Sequence, residues 1–85
     1  MQQNTMLEQA IGTNAFQSFM LKASPGCKHA MANLIEMSFT LQWNTDHETS
    51  LSEMQSMGEI TMQEKTDIRE TFANIALELP DYQSQ

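Results

Sequence analysis

The side chains able to do chemistry are few, and most fall between residues 27 and 48: Cys27, His29, Asp46, His47 and Glu48. Cys27 follows Ser24-Pro25-Gly26, a stretch that opens a helix. The serine hydroxyl can accept from a first-turn amide, and proline at the first helical position gives up an N–H that would go unpaired there anyway. A thiol in such a first turn, beside Lys28, could be held as thiolate by the positive end of the helix. Two things a nucleophile needs are missing. His29 lies about 200° round the helix from Cys27 and is a poor base for it, and the chain has no second cysteine to resolve an oxidised form. Cys27 is therefore read as buried and inert. The same residues with Asp46, His47 and Glu48 match no ligand spacing with a geometric logic. Asp46-His47-Glu48 reads as a solvated loop. No glycine-rich phosphate loop or nucleophile elbow occurs, and 85 residues leave little room for a cleft. No catalytic, cofactor or metal site is expected, and the chain is not read as an enzyme.

What remains is adhesion, and the charge pattern bears on it. The net charge is −7. Residues 1–43 balance Glu8 and Glu36 against Lys22 and Lys28, so the whole excess lies in residues 44–85. There Glu64, Asp67, Glu70 and Glu78 gather on one flank of a helix and form the candidate partner-binding face. Such a field repels phosphates and anionic lipid and attracts basic surfaces. Lys65 and Arg69, on the other flank, have no acid four residues away and gain no pairing along their own helix. With four basic side chains in all, the chain is poorly equipped to read DNA.

These residues must be positioned by helices, because no strand alternation occurs and valine is absent. The reading is an all-α fold, a small bundle of four to five helices forming one domain over residues 1–85, with short flexible ends at about 1–4 and 81–85. A long central helix over about 25–43 is predicted, ended by Asn44, with Met31, Leu34, Met37 and Leu41 on its apolar arc. Thr5 to Ile11 and a segment capped by Thr13 or Asn14 precede it, separated by Gly12 and ending near Ala23. After a polar loop over 44–49, Ser50-Leu51-Ser52-Glu53 and Thr61-Met62-Gln63-Glu64 each match a capping box, a hydroxyl followed three residues on by glutamate. Two boxes flanking Gly58 call for two helices. The last runs from Met62 to Leu79, stops before Pro80, and carries Ile68, Phe72, Ile75 and Leu79 at 4-3-4 spacing, with Leu77 left pointing away. These eight apolar residues are the candidate core or interface.

A chain this short buries proportionally little surface and has no disulfide to compensate, so a homodimer or an obligate partner is expected. No apolar run can cross a bilayer. The first residues lack a secretory signal pattern, and a cytoplasmic location is the default expectation. The function expected is that of a regulator or inhibitor binding a basic partner protein, with nucleic-acid mimicry as one route. The alternatives are a structural dimer or small subunit of a larger assembly, and a small DNA-binding transcriptional regulator.

Overall fold

The computed structural model describes residues 6–80, and these form five helices with no strand among them: α1 Met6–Ile11, α2 Asn14–Lys22, α3 Pro25–Glu36, α4 Thr45–Ser56 and α5 Met62–Glu78. The ends expected to be flexible, about 1–4 and 81–85, lie outside the described residues. Each start has a local cause. Thr13 caps α2 by accepting from the Phe16 amide at 3.2 Å, while its own hydroxyl donates to the Ala10 carbonyl at the end of α1. Gly12 therefore separates two helices. Ser24 caps α3 through the Cys27 amide, with Pro25 at the first helical position. Thr61 and Glu64 form a reciprocal capping box that opens α5.

Two expectations fail between residues 37 and 50. The central helix over 25–43 ends at Glu36, and 37–44 is irregular. The Ser38 hydroxyl turns back to donate to the Leu34 carbonyl at 3.0 Å, satisfying an acceptor that helix continuation would have used. Leu41 then adopts φ 55, a left-handed conformation that costs a branched side chain about 1 kcal/mol. Asn44 does not end α3; it starts α4, where its side chain accepts from the amides of Asp46 and His47. The expected loop over 44–49 is thus the first turns of α4, and the Ser50–Glu53 box is internal to that helix. The other end of α4 follows expectation: Gly58 sits at φ 81, its amide bonds to Gln55 O, and the Glu59 amide reaches back to Met54 O at 3.0 Å, a Schellman closure.

The core is one cluster to which every helix contributes, with Met31, Leu34, Ile35, Leu51, Ile68, Phe72 and Ile75 its largest fully buried apolar members. Of the eight apolar candidates, Met31, Leu34, Leu41, Ile68, Phe72 and Ile75 are buried, and Leu79 packs partly buried against them. Met37 is 37% exposed, because α3 has ended before its side chain can turn inward. The chain packs α5 against α2, α3 and α4, so the helix bearing the four candidate acids is also the structural spine. One close approach fixes the top of α3: a β-carbon on Gly26 would stand 2.3 Å from the Glu59 carbonyl oxygen in the α4–α5 connection.

Candidate functional site

Helix α5 places its acidic flank beside α2, and the two bound a solvent-open groove of about 840 Å³. All four acidic candidates, Glu64, Asp67, Glu70 and Glu78, line it, together with Ala15, Phe19, Ala23 and Leu77. They are not equivalent. The Glu78 carboxylate accepts from the amides of Asn14 and Ala15, each at 2.9 Å, and so caps the start of α2 from sixty-odd residues away in sequence. The Glu64 carboxylate accepts from the Thr61 amide at 2.9 Å and from the Ser24 hydroxyl at 2.8 Å, which ties α5 to the start of α3. Those bonds, the Thr61 amide first and Ser24 second, hold its carboxyl below the usual range. Asp67 is exposed and, among the described residues, accepts only from Gln63 Nε2 of its own helix; Glu70 is also exposed. Lys22 on α2 is the cation lining the groove, and it makes no ion pair among the described residues.

Cys27 also lines this groove but is 2% exposed, and its thiol is pushed up to about 11 by burial first, then by the charges of Glu64 and Asp67. Burial, with the acid field behind it, outweighs the helix terminus that would have favoured a thiolate. His29 is exposed on α3 and far in role from it. Among the described residues, no three His, Cys, Asp or Glu side chains converge in a way that could hold a metal ion.

A second cluster was not legible as such. His47 is 1% exposed, whereas it was expected in a solvated loop. Its ring stacks on Trp43 with centroids 5.2 Å apart and lies 5.1 Å from the Phe72 ring. The Asn44 amide donates to Nδ1 at 3.1 Å, completing the capping box of α4. An amide can only donate, so Nδ1 is the acceptor and the ring proton sits on Nε2, 2.7 Å from Ser38 Oγ. Ser38 in turn donates to Leu34 O. A serine and a histidine at this distance invite comparison with a nucleophile and its base. The proton placement opposes that: Nε2 donates, the hydroxyl proton is directed at a carbonyl, and Ser38 is buried. The ring is held below the usual histidine range, chiefly by burial, with the Leu34 carbonyl and Asp46 pulling the other way.

Beside this cluster, Glu48 accepts from Trp43 Nε1 at 2.9 Å and pairs in fork fashion with Arg69 of α5, Nε to Oε1 at 3.1 Å. The Arg69 bond, ahead of the Trp43 bond in effect, holds the Glu48 carboxyl down to about 2. Arg69, which finds no acid along its own helix, is thus tied within the chain. Its partner lies 21 residues away on α4 rather than along α5, which is why spacing alone did not find it. A cleft of about 620 Å³ lies next to this ion pair, lined by Leu41, Trp43, Phe72 and Ala73. Leu77, 71% exposed, borders both this cleft and the α2–α5 groove.

No helix among the described residues is long and apolar enough to cross a membrane. No protein-family model, curated protein or solved structure matches the chain.

Proposed function

We propose that this chain is a protein-binding regulator or inhibitor whose α2–α5 face receives a basic segment of a partner protein. The observation that supports it is the convergence of Glu64, Asp67, Glu70 and Glu78 on one groove with apolar walls at Ala15, Phe19, Ala23 and Leu77. Carboxylates along an open apolar groove suit a partner whose lysines or arginines flank an apolar anchor. Where that partner is itself a nucleic-acid-binding protein, the acid row competes with phosphates for the same cations.

The test is capture from lysate with identification of the bound protein, using Asp67→Lys/Glu70→Lys as the control. These two are chosen because neither caps another helix, so their reversal leaves the fold intact. Capture that is lost in the control and weakens steeply with salt supports the reading. Capture unchanged by both salt and charge reversal defeats it. The second reading, self-association or assembly through apolar surface, draws on Phe39, Leu21 and Leu77, which are 92%, 88% and 71% exposed. It predicts a salt-insensitive dimer in sedimentation that Leu77→Glu abolishes. A DNA-reading role is the weakest of the three, since Arg69, one of only four basic side chains, is engaged by Glu48.

A further inference from the structure

We propose that His47 is a pH-sensitive latch: its neutral ring fastens the 37–44 connection and the first turn of α4 to the core, and protonation releases both while the remaining helices stay folded. The geometry admits only one charge state. Nδ1 is occupied by the Asn44 amide at 3.1 Å, and a proton on Nδ1 would set two N–H groups against each other and break the α4 capping box. Nε2 and Ser38 fasten the opposite edge of the ring to the end of α3. Trp43 and Phe72 cover the ring, so a charge formed there has little water to solvate it.

The segment so fastened is primed to move. It carries Leu41 at φ 55 and presents Phe39 with 92% of its surface exposed. Its inward anchors are Ser38, Leu41 and half-buried Trp43, and two of these three touch His47 directly. Release would let Leu41 leave its strained conformation. The charges around the ring are accounted for. On α4, Asp46 favours the cation, and Glu48 lies across the Trp43 indole; on α5, Arg69 is neutralised by that same Glu48; from α3 the ring meets the Leu34 carbonyl through Ser38. Only Asp46 and the carbonyl favour a proton, against burial and the Asn44 amide.

Trp43 is the sole tryptophan and stacks on the ring, so its fluorescence reads the latch. Full-length protein is titrated from about pH 8 to about pH 4, past the range in which an ordinary histidine changes charge, because burial holds this ring below it. Glu48, held down to about 2, stays ionised throughout. The expected result is a red shift of Trp43 emission with greater acrylamide quenching, a shift of the Asn44 amide resonance at the same midpoint as the His47 ring, and most of the helical circular dichroism retained. His47→Gln is expected to show a flat Trp43 signal over the same range. If that variant does not fold, the wild-type resonances decide: a His47 ring that titrates without moving Asn44 or Trp43 overturns the latch. So does a Trp43 transition that coincides with loss of all helical signal, because the step is then unfolding of the whole chain.

Discussion

Gly26→Ala sets two well-known effects against each other, and the structure decides the sign. Gly26 is the second residue of α3, and alanine is the better helix former by about 1 kcal/mol. Most of that figure is the backbone freedom glycine loses on folding, so it already includes the effect on the unfolded chain. Propensity alone therefore predicts a more stable protein. Against it, the new β-carbon would stand 2.3 Å from the carbonyl oxygen of Glu59. That is about 1 Å inside ordinary van der Waals contact, and the obstacle is backbone, which cannot rotate away. Nor is that backbone free to shift. The Glu59 amide is bonded to Met54 O, Ile60 next to it is 4% exposed, and Thr61 begins the capping box of α5. Overpacking of this kind costs about 1–3 kcal/mol, occasionally more, and a rigid backbone obstacle belongs at the upper end. The expected net effect is destabilisation by about 1–2 kcal/mol, a fall in Tm of roughly 5–15 °C for a domain this size. Urea and thermal unfolding followed at 222 nm measure it. Gly12→Ala is the control, since its β-carbon would meet only Gln9 O at 3.6 Å, an ordinary contact; it should be neutral or mildly stabilising. A Gly26→Ala protein as stable as the parent, or more so, would refute the close approach of α3 to the α4–α5 connection.

Phe72→Ala removes a ring that is 2% exposed and meets both Trp43 and His47, and should cost about 3–5 kcal/mol in urea unfolding; a loss under about 1 kcal/mol would mean that the cluster is not packed as described. The Glu48 carboxyl is held below its unfolded value, so its contribution is complete above the ordinary 4.5 and is lost as pH falls toward about 2. Both partners are about 40% exposed, so solvent screening limits the pair to about 1 kcal/mol or less. Arg69→Gln should thus weaken the protein near neutral pH and make no difference once the carboxylate is protonated, as acid titration of unfolding will show. Cys27, raised from 9.0 to about 11, carries about a hundredfold less thiolate near neutral pH, and its burial also shields the thiol sterically from a reagent. A disulfide reagent should therefore label it only in urea, and labelling of the native chain at a comparable rate would show that the groove opens to the thiol.

Much of the fold was readable because its signals are local. Ser24-Pro25, Thr61 with Glu64, and Gly58 after α4 each act within one turn, and each ends up where spacing put it. The stripe Ile68, Phe72, Ile75 and Leu79 was equally plain, since a long helix repeats its periodicity four times over. The failure at 37–44 has its own signature. An apolar arc broad enough to take in Phe39 and Trp43 as well as Leu34 is too wide for one helix, and the excess belongs to residues that are not helical. Asn44 fits either end of a helix, and only the partner it finds decides which. Here that partner is His47, a residue outside the Glu and Gln usual in a capping box, so no pattern search would have chosen it over Ser50 with Glu53. The candidate groove was half legible. Periodicity placed four acids on one flank of α5, but their setting beside α2 depends on the chain turning back, and so does the burial of His47 and the pairing of Glu48 with Arg69.

That turning back changes what the acidic face means. Surplus carboxylate on a helix surface is ordinarily a solubility device and carries no further information. In this chain two of the four groove acids are engaged by groups on other segments: Glu78 by the amides that open α2, and Glu64 by Ser24 at the start of α3. An acid near the C-terminal end of α5 is unfavourable to that helix, and Glu78 is tolerated there because its charge faces the positive end of α2 instead. A solubility role explains neither placement, and a structural role explains only these two. Asp67 and Glu70 remain, exposed beside apolar groove walls that a merely soluble protein gains nothing by leaving open. The division yields a discriminating experiment within one groove. Glu78→Gln and Glu64→Gln should each lower stability by roughly 1 kcal/mol, the usual worth of a helix cap, and weaken partner capture only in proportion to unfolding. Asp67→Asn/Glu70→Asn should leave stability within about 0.5 kcal/mol of the parent and abolish salt-sensitive capture. If all four substitutions leave both stability and capture unchanged, the groove has no division of labour and the acidic face is solvation alone.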